Sequence, residues 1–274
     1  MPDAWAATLL APWLADVQAE RAPARPPARP TASGLLWTAD AETFALQVPG
    51  VARYAAVGGR RLSVEPEPGT PDELIARHAR MAPTAALCHQ RGLVPLHAAA
   101  ARCGARTILL AGDSASGKST LLAGLAAAGW EPLADELAVL SVADDRPVVL
   151  PVPAPVHLWP DAQEQLPPPR PIASLAAGEE LALGEIWWLT THGAAEVQQE
   201  RVRDLDVIEA VGRLTYNAEL ARALLDAGAN LAAAAAAARH AAVVRLRRPR
   251  GRWTVDHLVD AIASFSARRE VASG

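Results

Sequence analysis

One stretch limits what this chain can fold into more than any other: Gly112-Asp113-Ser114-Ala115-Ser116-Gly117-Lys118-Ser119, followed by Thr120. It satisfies G-x-x-x-x-G-K-[ST], follows an apolar run at 106–111, and opens a helical run at 118–128 that Gly129 stops. A strand, a glycine loop and a helix are therefore expected in succession. Glycines let consecutive backbone N–H groups curl around a phosphate without Cβ clashes, and the helix aims its positive end at the same anion. Lys118 is expected to reach the β- and γ-phosphates of ATP, and the Ser119 hydroxyl to ligate Mg2+. The nucleotide-binding set is then Gly112, Asp113, Ser114, Ala115, Ser116, Gly117, Lys118, Ser119 and Thr120. A chance match to the pattern is the alternative, and the strand-before, helix-after context weighs against it.

Composition sharpens the focus on Lys118. It is the one lysine among 26 basic residues; all the others are arginine. A compact ammonium on a flexible stem has been kept where phosphates would need it. With 274 residues, 51% of them hydrophobic, the chain can build one large domain or two modest ones. A net charge of −4 gives no global pull toward nucleic acid or anionic lipid, so neither is an expected partner. The alanine run at 231–238 is too short to span a bilayer and reads as a helix packed closely against a neighbour. Asp3, Pro12 and the lack of an early basic cluster argue against a signal peptide, so a cytoplasmic chain is expected. Cys88 and Cys103 read as small buried hydrophobes.

Along the chain, residues 1–20 suggest an amphipathic helix carrying Trp5, Leu9, Leu10, Trp13 and Leu14 near one face, followed by a Pro/Arg-rich extended arm at 21–34. Strands are expected at 35–38, 43–48 and 61–64, the last after a Gly58-Gly59 turn. A helix is expected over 71–91, with Thr70 as N-cap and Glu73 completing a capping box. Further strands are expected at 95–101, 106–111, 133–142, 147–152, 185–190 and 242–247. Helices are expected over 204–227 with a break, 231–239 and 255–265, the last capped by Thr254. A proline-rich loop fills 151–171. The chain divides into a small N-terminal α+β portion, 1–92, and a larger α/β core, 93–274.

Two further features bear on chemistry. Asp135-Glu136 interrupts an apolar stretch expected to be a strand, and adjacent carboxylates there are costly unless they meet a cation or serve as a base. A solvent-facing strand edge is the plainer reading. His97 lies in the strand expected before the glycine loop; on its own it reads as a hydrogen-bonded core histidine.

His97, the glycine loop and Asp135-Glu136, taken together in this spacing, resemble the catalytic domain of the bacterial HPr serine kinase/phosphorylase family over roughly residues 92–160. That family's fold, akin to PEP carboxykinase, implies a mixed β-sheet with flanking helices. The resemblance implies that Asp135 is the general base toward a serine hydroxyl, with His97 near that carboxylate and the phosphate. It also implies that Lys118 contacts phosphate, and that Ser119, Asp135 and Glu136 bind Mg2+. Glu136 stands where the family commonly has an aspartate. The family's glycine-rich, arginine-bearing signature is replaced by Pro153-Ala154-Pro155-Val156-His157-Leu158-Trp159-Pro160-Asp161, and residues 1–92 do not look like its regulatory domain. In both respects the chain is similar to shorter HPr-kinase-like proteins, some of which phosphorylate a serine of ribosomal precursor peptides of the lasso type.

An ATP-dependent kinase acting on a serine of a peptide or small protein is thus the leading expectation, and a homo-oligomer is compatible with it. A small-molecule kinase for a sugar or nucleoside, and a nucleotide-gated binding module without transfer activity, are the alternatives. The Asp135 base favours either kinase over the module. The arginines at 21–29 and 245–252 would suit an acidic peptide, though the latter read more simply as a solvated strand end and turn.

Overall fold

The computed structural model describes residues 10–173, 179, 181–193, 195–203, 205–224 and 227–272. The chain forms two mixed sheets with helices laid against them. The first contains β1 (Gln18–Arg21), β2 (Ala32–Ser33), β3 (Trp37–Ala39), β4 (Thr43–Val48), β5 (Ala52–Val57) and β6 (Arg61–Pro66). Their order is β1-β6-β5-β4-β3-β2, with β1 parallel to β6 and every other pair antiparallel. Gly58 and Gly59, both at positive φ, make the tight β5–β6 turn.

Two expectations for this region fail on proline chemistry. Of the helix expected over 1–20, Trp5 and Leu9 lie outside the described residues. Beyond them the chain makes only a 3-10 turn at Pro12–Leu14 and then enters β1. Pro12 cannot continue a helix from its N-terminal side, and it starts this turn instead. The helix expected over 71–91 is two helices, α1 (Asp72–Ala79) and α2 (Ala82–Gln90). In one continuous helix the Pro83 ring would clash with a carbonyl one turn back, whereas in the first turn of α2 it is tolerated. Thr70 does not cap α1: Pro71 holds that position without a side-chain bond, and Thr70 Oγ1 donates to the Val51 carbonyl at 3.1 Å.

The second sheet comprises β7 (Val94–Leu96), β8 (Ala98–Cys103), β9 (Arg106–Ala111), β10 (Glu131–Ala134), β11 (Ala138–Ala143), β12 (Arg146–Pro151), β13 (Leu181–His192), β14 (Gln198–Val202) and β15 (Ala242–Pro249). Its path is β10-β8-β9-β13-β12-β11-β7, and β15 pairs both β13 and β14. Around it lie α3 (Lys118–Ala127), α4 (Pro160–Gln163), α5 (Leu205–Leu214), α6 (Ala218–Leu224), α7 (Ala227–His240) and α8 (Val255–Ala272). No helix among the described residues is long and apolar enough to cross a membrane.

Period-two alternation assigns the two faces of this sheet. Ala98, Ala100, Leu109 and Ala111 point into a core shared with Val207 and Val211 of α5 and Ala233, Ala234 and Ala237 of α7. Ala99, Ala101, Ile108 and Leu110 point the other way, onto Leu121, Leu122 and Leu125 of α3 and Leu258 and Ile262 of α8. Small side chains let the helices approach closely: a Cβ on Gly124 of α3 would stand 2.3 Å from Val255 Cγ1. The two sheets also share packing, since Leu220 and Leu224 of α6 join the core of the first sheet and Trp13 Nε1 donates to the Pro151 carbonyl at 2.8 Å. Cys88 is buried as expected, but Cys103 is exposed at the end of β8.

Two of the expected strands are each broken, and both breaks fall at the same place. The run 95–101 divides at His97 into β7 and β8; the run 133–142 divides at 135–137 into β10 and β11. The reason is a change of partner. β7 pairs with β11 while β8 pairs with β9 and β10, so Leu96 opposite Ala138 and Ala100 opposite Ala134 bracket a common bend. Glu136, at φ 77°, takes the backbone out of extended geometry there.

Candidate active site

The bend and the glycine loop meet. Neither His97 nor Asp135-Glu136 lies within a strand, as their sequence context suggested; both occupy the bend, beside the start of α3. Gly112 leaves β9 at φ 144°, and a Cβ there would sit 2.5 Å from the Leu189 carbonyl oxygen and 2.9 Å from Ser116 Oγ. No other residue type fits without moving β13. Ala115 and Gly117 also adopt positive φ, curling the loop, and Gly117 caps α3 with no side-chain bond. The first amides of a helix have no intrahelical acceptor, so this end of α3 is disposed to receive an anion.

Lys118 is folded against the loop rather than extended into solvent. Its Nζ donates to the carbonyls of Gly112 at 2.8 Å and Asp113 at 3.0 Å, and the side chain is buried. Burial lowers its pKa, opposed by the charges of Asp135, Asp113 and Glu136. Ser119 Oγ donates to Asp135 Oδ1 at 3.0 Å. Asp135 is 1% exposed, and its Oδ2 is buried with no hydrogen-bond partner. Burial raises the Asp135 pKa; the Ser119 bond pulls it down, Glu136 pushes it up, and the backbone at His157 and Glu136 pulls it down more weakly.

His97 is half-buried, with its backbone N–H donating to the Leu214 carbonyl at 2.9 Å and its ring 6.4 Å from that of Tyr216. Burial first, then the Lys118 charge, lower its pKa; the Glu136 backbone and Asp113 oppose the shift. The imidazole is therefore neutral at physiological pH.

These groups line one cavity of about 620 Å³, together with Ser114, Ala115, Gly117 and Thr120. Asp113, Gly112 and the buried Ser116 form the loop behind it without lining it. The segment after β12 adds His157, Trp159 and Asp161 to the lining, and Trp159 is 72% exposed. Two arginines complete the lining. Arg248, at the end of β15, donates from Nε to the Ser116 carbonyl at 2.9 Å, and Arg77 comes from α1 in the N-terminal portion. Neither stood out individually in the sequence. Arg248 was one arginine in a run of several, and Arg77 lies far from every motif, so only the fold brings them in.

The arrangement offers a curled loop at a helix start, a cation beside it, and a carboxylate with one oxygen fixed and the other free. A divalent cation fits here on local grounds, because the Ser119 hydroxyl and the Asp135 carboxylate set hard oxygen donors side by side. No protein-family model matches the chain, and no curated protein matches it in sequence. Among solved structures, the HPr(Ser) kinase/phosphatase from Coxiella burnetii is similar at a TM-score of 0.36 and 10% identity, over 65% of this chain and 94% of that one. At that distance the function has to be read from the site itself.

Proposed function

We propose that this chain is an ATP- and Mg2+-dependent kinase with an HPr-kinase-like glycine-loop core, transferring the γ-phosphate to a serine hydroxyl of a peptide or small protein. A ribosomal precursor peptide is a fitting acceptor. The observation that carries the reading is the junction of Lys118, Ser119 and Asp135 at the start of α3, inside a cavity large enough for a nucleotide. The loop amides and Lys118 hold the donor phosphates. Ser119, Asp135 and Glu136 would hold Mg2+, which supplies charge neutralisation on the phosphate oxygens. Asp135 is the base: Oδ1 is engaged by Ser119, and the free Oδ2 can accept a proton. The serine hydroxyl gives its proton to Asp135 as its oxygen bonds the γ-phosphorus, and the β–γ bridging oxygen departs with ADP. Neutral His97 positions the Asp135–Glu136 bend.

A peptide acceptor is favoured by the cavity rim, where Trp159 and Arg77 are exposed and available to a chain lying across the mouth. The test is transfer of labelled γ-phosphate to serine-containing peptides, run beside a free sugar and a nucleoside. Phosphoserine on peptide is the expected result. Label on the sugar or nucleoside alone would make the chain a small-molecule kinase, and ATP binding with no transfer at all would make it a nucleotide-gated module.

A further inference from the structure

A second cavity of about 400 Å³ shares Gly117 with the first and does not have Asp135 in its lining. Gly117, Thr120, Asp161 and Arg248 line both this cavity and the first, so the two are lobes of one cleft. The second lobe contains none of the bend residues: His97, Asp135 and Glu136 are confined to the first. What it adds is Trp253, the single aromatic ring among its described lining residues, with Arg252 and Gln165 also in the lining.

The boundary between the lobes is set by one side chain. A Cβ on Gly117 would stand 3.4 Å from both Nε and Nη2 of Arg248, so the guanidinium lies directly over the glycine loop while its Nε is held by the Ser116 carbonyl. A planar cation placed there faces whatever passes from one lobe into the other, and phosphate is the group it matches best. The second lobe is of small-ligand size, with an aromatic plane at one end and a carboxylate, Asp161, at the shared edge.

We infer that the second lobe is the nucleoside subsite of the donor, entered from the Trp253 side. Trp253 stacks on the base, Asp161 accepts a hydrogen bond from a ribose hydroxyl, and Arg248 contacts the phosphate that crosses Gly117. The inference rests on the kinase reading and gives the cleft a direction: donor from Trp253, acceptor from the opposite mouth between Arg77 and Trp159.

Calorimetric titration of Mg-ATP and of Mg-tripolyphosphate separates the two lobes, because tripolyphosphate has no nucleoside. Wild type is expected to bind ATP at least ~10-fold more tightly than tripolyphosphate, in line with one stacked base. Trp253→Ala should erase that difference while tripolyphosphate affinity stays at the wild-type value, which also shows that the glycine loop is folded. Trp253→Phe should restore most of it. Equal affinities in wild type, or a Trp253→Ala loss shared by both ligands and not recovered in Trp253→Phe, would overturn the subsite while leaving the kinase reading standing. Failure of wild type to bind either ligand would overturn both.

Discussion

Ser119 Oγ donates a 3.0 Å hydrogen bond to Asp135 Oδ1, tying the first turn of α3 to the bend between β10 and β11. Those residues are 16 apart in sequence and belong to elements built on different partners. The bond fixes one carboxylate oxygen and leaves the other buried and unpartnered. A folded protein keeps such an arrangement at a cost in stability, which points to function rather than packing.

The cost is measurable through Asp135→Asn. Burial raises the Asp135 pKa, so its contribution to stability is present below the unfolded value near 4 and is lost as pH rises through the folded value. At neutral pH the wild type therefore carries a penalty that the amide lacks. Asp135→Asn is expected to melt higher than wild type at pH 7, with the gain vanishing below about pH 4. Its turnover should fall by at least ~10²-fold. Melting curves from pH 3 to 8 and a phosphate-transfer assay check both; a variant less stable at neutral pH would mean that Asp135 is a structural acceptor.

Lys118→Ala should lose ATP binding and transfer together. A lysine that touched only solvent and nucleotide could be removed with the fold untouched. The structure instead buries Lys118 and bonds it to two loop carbonyls. Stability should fall by about 1–3 kcal/mol, the range for lost charged hydrogen bonds. Lys118→Arg should rescue binding poorly, because a planar fork does not fit the space of a point charge. Chemical denaturation and nucleotide titration give the two readouts.

The loop and the bend were legible in the sequence to different degrees. Gly112–Thr120 was readable because each glycine has a steric reason visible in the motif, and the structure supplies it: the Leu189 carbonyl leaves no room for a Cβ at Gly112. The bend was not. Apolar residues run unbroken through 95–101 and 133–142, and only long-range pairing of Leu96 with Ala138 and Ala100 with Ala134 shows where the strands change partners. Local pattern cannot report such a change. Pro12 and Pro83 each stand at the start of an element, where the hydrophobic pattern alone would carry one helix through. Arg77 and Arg248 reach the cavity from opposite ends of the chain, so no window of sequence contains the site.

Gly112→Ala tests how tightly the loop is held. The substitution combines a left-handed φ with a 2.5 Å approach to a backbone oxygen, so β9 must move relative to β13. A loss on the order of 2–5 kcal/mol is expected from strain and overpacking together. Gly104→Ala is the control: its φ is also positive, at 58°, but nothing lies within 4 Å of the added Cβ. It should cost only about 1 kcal/mol and leave nucleotide binding unchanged. Similar losses at both positions, read from urea midpoints, would remove the special role of the Leu189 contact.

Acid stability should depend on His89. It is 1% exposed in α2, its Nε2 lies 3.3 Å from the Tyr216 carbonyl, and its Nδ1 has no partner. Burial lowers its pKa to about 4, the Tyr216 carbonyl opposing. A depressed histidine contributes stability that is present above the unfolded value near 6.5 and is lost as pH falls through the folded one, up to roughly 3 kcal/mol here. The sign is opposite to that of Asp135, so the two variants separate them. His89→Gln should flatten the fall in denaturation midpoint between pH 6 and 4, whereas Asp135→Asn should steepen it.

The acceptor side is best tested at its rim. Removing the whole proline-rich segment would not isolate the acceptor, because Val152 is buried in the core, Pro151 accepts the Trp13 bond, and Asp161 lines the lobe assigned to the nucleoside. Trp159 avoids all three. It lines the first lobe alone, is 72% exposed, and precedes α4 without a side-chain capping role. A peptide crossing the mouth would bury this indole, whereas a sugar or nucleoside seated beside Asp135 would not require it. Trp159→Ala is expected to raise the acceptor peptide KM by about 10-fold, as the loss of one aromatic contact implies, with the ATP Kd and the melting temperature unchanged. Arg77→Glu should act on the same parameter and shift preference away from acidic peptides, since it reverses a charge that the N-terminal portion places in the cavity lining. An acceptor KM indifferent to both substitutions would mean that the acceptor lies wholly inside the lobe, and the chain would then be read as a small-molecule kinase.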